Sequence, residues 1–148
     1  MVVHLHNCTT VTVGSQMDIV VDTSVIIAVI ADEPERESLV KVTKGADLLA
    51  PLSVHWELGN AFSAMFRRQR IDLASALKAV DIYRRIPIRF VEVELKASLE
   101  IAAELGIYAY DAYLIRCALK YRAPLLSLDD ALIDSAQRLG ATVVEVTG

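Results

Sequence analysis

Four acidic residues stand where the surrounding pattern gives an acid little reason to be. Asp22 follows the apolar run "DIVV" and precedes a second apolar run. Glu57 lies inside "HWELGNAF", one position before the apolar Leu58. Asp111 follows "IYAY", and Asp129 ends "LLSLD" with Asp130 directly beside it. Carboxylates gathered in one pocket repel one another and stay ionised only around a cation. Magnesium suits such a set, being hard, oxygen-seeking and held by few carboxylates with waters and substrate phosphates completing its shell. A local explanation competes at three of the positions. A short acceptor at a helix N-cap satisfies an orphan amide for about 1 kcal/mol, so Asp22, Asp111 and Asp129 each fit capping as well as ligation. Glu57 has helix on both sides and cannot cap; its competing explanation is a partly exposed surface glutamate.

The elements that must position these acids alternate in period. Asp18 to Val21 reads as a short buried strand and Thr23 to Ala31 as a helix. "PERESLVKVTKG" reads as a second helix, with Pro34 in its first turn and Gly45 at its end. "ADLLAP" is strand-like. Ser53 is suited to cap a long helix through Arg68, whose Leu58, Ala61, Phe62 and Met65 fall at i, i+3, i+4, i+7. Asp72 can cap another helix, and "IRFVEV" is a strand. Leu95 to Leu105 is a helix stopped by Gly106, and Asp111 opens the next, with Leu114, Ile115, Ala118 and Leu119 as its apolar stripe. "PLLSL" is a strand, Ala131 to Leu139 a helix ended by Gly140, and "ATVVEV" a last strand. Five short apolar strands separated by helices predict a three-layer α/β/α domain on a five-stranded parallel sheet. Ligands of such sheets bind at the carboxyl ends of strands, where strand order reverses. Asp22 stands at such an end.

Composition narrows the partners. The 148 residues make one domain, 54% hydrophobic and 23% charged, with no apolar run near the roughly 18 residues of a membrane span. A net charge of -4 excludes a general nucleic-acid coat, so any nucleic-acid contact is local. Cys8 and Cys117 are too few for a disulfide framework or zinc site and fit a reducing cytoplasm. Residues 1–16 lack the features of an export signal and read as a flexible leader before a domain at 17–148. Within them His4 and His6 form an H-x-H pair with no third ligand nearby, and Thr9 to Val13 alternates like a short edge strand. Arg67, Arg68, Arg70, Arg84, Arg85, Arg116, Lys120 and Arg122 are available to rim an acidic centre, although charge runs usually mark solvated helix faces.

At these motifs the chain resembles the PIN domain family, most closely its VapC-type toxin ribonucleases. "VVDTSVIIAV" is similar to the family's opening aspartate motif, "DEPE" to the stretch after the first helix, and "HWELGNA" to the helix carrying its glutamate. "YDAYLIRCA" is similar to the segment of the third acid, and "LLSLDDAL" to the Thr/Ser-x-Asp motif. The likeness runs from Met17 to about Val146. It implies a PIN-like five-stranded sheet and a Mg2+ or Mn2+ dependent endoribonuclease centre of Asp22, Glu57, Asp111 and Asp129, with Ser24 and Ser127 as hydrogen-bonding support. Asp22 and Asp111 would be direct ligands, with Glu57 and Asp129 either ligands through water or orienting the nucleophile. It further implies products with 5'-phosphate and 3'-hydroxyl ends, an RNA substrate, a cognate antitoxin and a homodimer. The homodimer also draws on Trp56, Phe62, Met65 and Phe66 as more apolar surface than one helix face buries. Asp130 competes with Asp129; the spacing from Ser127 favours Asp129. The rival readings are a phosphoacceptor receiver module, for which Asp22 lacks an adjacent acid and "LLSLDD" lacks a lysine, a PIN nuclease of RNA processing, and an inactive PIN-like domain.

Overall fold

The structure, a computed structural model, describes residues 2–5, 9–12 and 17–146. Near the start of the chain, β1 (Val2–Leu5) pairs antiparallel with β2 (Thr9–Thr12). This two-stranded ribbon is separate from the main sheet. The side chain of His4, and His6 and Cys8 entirely, lie outside the described residues.

The main sheet is built from β3 (Asp18–Val21), β4 (Asp47–Pro51), β5 (Ile88–Val91) and β6 (Leu125–Leu126). Its order is β5-β4-β3-β6, all parallel. Val20 lies opposite Leu49 on one side and Leu125 on the other. All three have no exposed surface, which is why these strands read as unbroken apolar runs rather than alternating ones. Fully burying an aliphatic side chain is worth about 1.5–3 kcal/mol, so the two central strands anchor the core. Among the described residues seven helices complete a three-layer α/β/α arrangement: α1 (Thr23–Ile30), α2 (Arg36–Thr43), α3 (Ser53–Arg67), α4 (Leu73–Arg85), α5 (Leu95–Leu105), α6 (Ala109–Tyr121) and α7 (Asp130–Arg138). Helix α6 packs on β3, β4 and β6 and against α3, α5 and α7, so it is the hub of the molecule.

Three details depart from the sequence expectation. The sheet has four strands among the described residues rather than five. "ATVVEV" contributes a single parallel bridge, Val143 beside Leu125. Leu125 N donates to Thr142 O and Val144 N to Leu125 O, each at 2.9 Å, and because β6 is only two residues long the ladder has no room to continue. Ser53 does not cap α3. Leu52 before it is already helical in its dihedrals, whereas a capping residue must be extended. Asp111 does not open α6. The extended residue is Tyr108, the helix begins at Ala109, and Asp111 lies inside the first turn.

Other boundaries follow the local chemistry. Asp72 caps α4 by accepting from Ser75 N at 2.7 Å. Gly106 ends α5 at φ 66, in the left-handed region that favours glycine.

Candidate active site

The chain runs outward from β3 through β4 to β5, then returns to the opposite side of β3 as β6. Strand order therefore reverses at β3, and the carboxyl ends of β3 and β6 open on one crevice. Asp22 follows the first of these strands; Ser127 and Asp129 follow the second.

Asp22 occupies the N-cap position of α1 but does not cap with its side chain. Its carbonyl takes the first helical bonds, from Val25 N and Ile26 N. Its carboxylate turns instead to two hydroxyls, Oδ2 accepting from Ser24 Oγ and from Ser127 Oγ at 2.7 Å each. The serine oxygens themselves accept from Leu128 N and Asp129 N, both at 3.0 Å. A hydroxyl whose lone pairs receive an amide has its proton free to point elsewhere. The two amides thereby aim both serine protons at Asp22. Asp22 is 5% exposed, and among the described residues no Lys or Arg pairs with it.

Glu57 sits on α3, half-buried, its Oε2 accepting from Thr23 Oγ1 at 3.1 Å. Burial raises its pKa above the ordinary glutamate value; the Thr23 bond opposes this, and the charges of Asp22, Asp111 and Asp129 add to the rise. Asp111 is raised by burial first, then by Asp129 and Asp22. Asp22 and Asp129 thus lie within electrostatic reach of both Glu57 and Asp111. It is Asp129, not Asp130, whose charge is felt by Glu57 and Asp111. Asp129 is also a true N-cap: its Oδ1 accepts from Ala131 N at 3.0 Å and Leu132 N at 3.3 Å. The capping explanation therefore holds for Asp129, fails for Asp22 and does not apply to Asp111.

No group of three or more His, Cys, Asp or Glu among the described residues closes into a ready-made metal cage. The donors nonetheless fit a hard divalent ion. They are all oxygen, burial first and neighbouring carboxylates second make Glu57 and Asp111 harder to ionise, and among the described residues no Lys or Arg pairs with them. An ion keeping several waters needs only one or two of these carboxylates at a time.

A model of the family described as PIN domain matches residues 19–138. The chain belongs to the PIN domain family. No curated protein matches it. Among solved structures, this PIN domain is similar to PAE2754 from Pyrobaculum aerophilum, with a TM-score of 0.64 and 23% identity, over 81% of this chain and 86% of that one. It is also similar to VapBC2 from Rickettsia felis bound to a DNA fragment from their promoter, with a TM-score of 0.60 and 16% identity, over 80% of this chain and 92% of that one. At these identities the likeness is one of fold.

Two features of the PIN domain site were not singled out in the sequence. Thr23, 4% exposed, fixes Glu57; its one legible signal is a hydroxyl immediately after Asp22. Glu94 Oε1 and Oε2 accept from Lys120 Nζ at 2.9 Å and Arg116 Nε at 3.0 Å, which ties the loop after β5 to the helix carrying Asp111. These two cations are therefore engaged in structure rather than standing free at a rim.

Proposed function

We propose that the protein is a Mg2+- or Mn2+-dependent endoribonuclease that hydrolyses phosphodiester bonds, and the toxin of a VapBC-type toxin-antitoxin pair. The observation that carries the reading is Asp22: a buried acid at an N-cap position whose side chain does not cap, is aimed by two serines, and sits within reach of Glu57 and Asp111, with no Lys or Arg among the described residues paired to them. Membership of the PIN domain family supports nuclease chemistry, and the fold shared with VapBC2 supports a cognate antitoxin as partner, with the cytoplasm as the place where both would act.

Asp22 and Asp111 would hold the ion directly, with Glu57 and Asp129 acting through water. When bound, the ion would acidify the attacking water and offset charge on the phosphorane. Ser24 and Ser127 keep Asp22 pointed into the crevice, and Thr23 keeps Glu57 there. Asp129 holds the start of α7 with one oxygen while its other oxygen makes no hydrogen bond among the described residues. A phosphoacceptor role would require Asp22 to be open to a phosphate donor, whereas it is buried and hydrogen-bonded.

The test sets folding against cleavage. Asp22→Asn and Asp111→Asn remove charge from a self-repelling group, so in EDTA each should be within about 1 kcal/mol of the parent or more stable. With Mn2+ and total cellular RNA, each should cut roughly a hundredfold more slowly or worse. A variant that melts lower yet cuts at the parent rate would overturn the assignment.

A further inference from the structure

Beside the acidic crevice lies a second cavity, of about 380 Å³, within the size range of small-molecule sites. It opens at the carboxyl ends of β4 and β5, the same end of the sheet as Asp22. Pro51, Ser53, Val91, Glu92, Leu95 and Tyr113 are among the residues that line it, so its walls are mostly apolar, with one aromatic ring, the hydroxyls of Ser53 and Tyr113 and one acidic residue.

The first of these hydroxyls is anomalous. Ser53 Oγ is buried from solvent and has no hydrogen-bond partner, although buried polar atoms are almost always paired. It does not cap α3, so helix formation does not explain it. Ser53 stands four residues before Glu57 on α3, the spacing that stacks side chains on one helix face. Tyr113 stands two residues after Asp111 on α6. Both helices that bring acids to the crevice thus also bring a residue to the cavity. Its third wall is held from α6 as well, because Glu92 O accepts from Lys120 Nζ at 3.1 Å and Tyr121 Oη at 2.9 Å.

We propose that this cavity receives one unstacked base of the RNA, next to the phosphate being cut, with Tyr113 offering the ring contact and Ser53 Oγ the polar contact that tells one base from another. Sequence-selective reading of RNA depends on splayed-out bases placed against aromatic rings and hydrogen-bonded along their edges. A mostly apolar cavity with an aromatic ring and a buried unpaired hydroxyl supplies both, and the wall at Glu92 is held from α6 before the RNA arrives. This deepens the nuclease reading and rests on it.

The experiment cuts a randomised single-stranded RNA pool with the full chain and Mn2+ and sequences the ends. The parent should show a base preference at one position flanking the cut. Tyr113→Ala should slow cutting about tenfold whichever base flanks the cut, the scale of one lost stacking contact. Ser53→Ala, a minimal change checked for an unaltered melting point, should change which base is preferred or flatten the choice. If the parent cuts without preference, if the preference survives Ser53→Ala, or if Tyr113→Ala cuts at the parent rate, the base pocket is wrong and the nuclease reading stands. If the parent cuts no RNA at all, the nuclease reading fails and takes the pocket with it.

Discussion

At Asp129 a single side chain carries two duties that substitutions can separate. Asn presents a side-chain oxygen to Ala131 N and Leu132 N much as Asp does, whereas Ala presents none. Asp129→Asn should therefore melt close to the parent and Asp129→Ala about 1 kcal/mol lower, while both lose activity if the second oxygen serves the ion. Thermal midpoints in EDTA alongside cleavage rates with Mn2+ check this. An Asn variant of full activity would leave Asp129 as a cap alone. The contrast also shows what residue-level reading can reach. Asp22, Glu57, Asp111 and Asp129 were legible as acids in unpromising places, yet capping was separable from ligation only in three dimensions. Ser127 bonds a residue 105 positions away, and no local pattern carries such a pair. Thr23 was hidden for another reason: a hydroxyl at the start of a helix is common whether or not a glutamate lies opposite.

At the scale of elements, the brace between the loop after β5 and α6 gives a pH signature. Arg116 first, then Lys120, hold Glu94 well below the usual carboxylate range, at about 2. A carboxyl whose folded pKa is depressed contributes stability that is complete above its unfolded value near 4.5 and disappears as the pH falls toward 2. The difference in thermal midpoint between the parent and Glu94→Gln should therefore be largest near neutrality and shrink across that acid window; a difference constant with pH would mean the brace contributes nothing. It should also shrink in high salt, since the pair is exposed. Helices and strands were mostly readable because each has its own period and punctuation, as with Asp72 before α4 and Gly106 after α5. The misreadings came where tertiary geometry set the boundary. Leu52 enters the helical conformation directly off β4, leaving Ser53 inside, and "YAY" begins α6 a turn's fraction early. "ATVVEV" looks like a strand but finds only two residues of β6 to pair with.

At the scale of the whole molecule, apolar side chains remain on the outside. The stripe on α3 is divided: Phe62 is buried and Met65 packs on the core, so only Trp56, 65% exposed, and Phe66, 38% exposed, stay uncovered. Leu95 and Leu99 on α5 are exposed as well. We expect a homodimer at micromolar concentration, and Trp56→Glu should shift it toward monomer in light scattering; a parent that is already monomeric there would refute the expectation. No described helix is long and apolar enough to cross a membrane. The return of the chain to β3 has a consequence in time. Asp22 is made early, but the hydroxyl of Ser127 that aims it arrives 105 residues later, with the amides of Leu128 and Asp129 directly behind. A nascent chain still short of β6 holds Asp22, Glu57 and Asp111 without the groups that aim Asp22. For a protein that would attack RNA in the cell making it, synthesis itself would then act as a safety catch, released only when β6 docks beside β3.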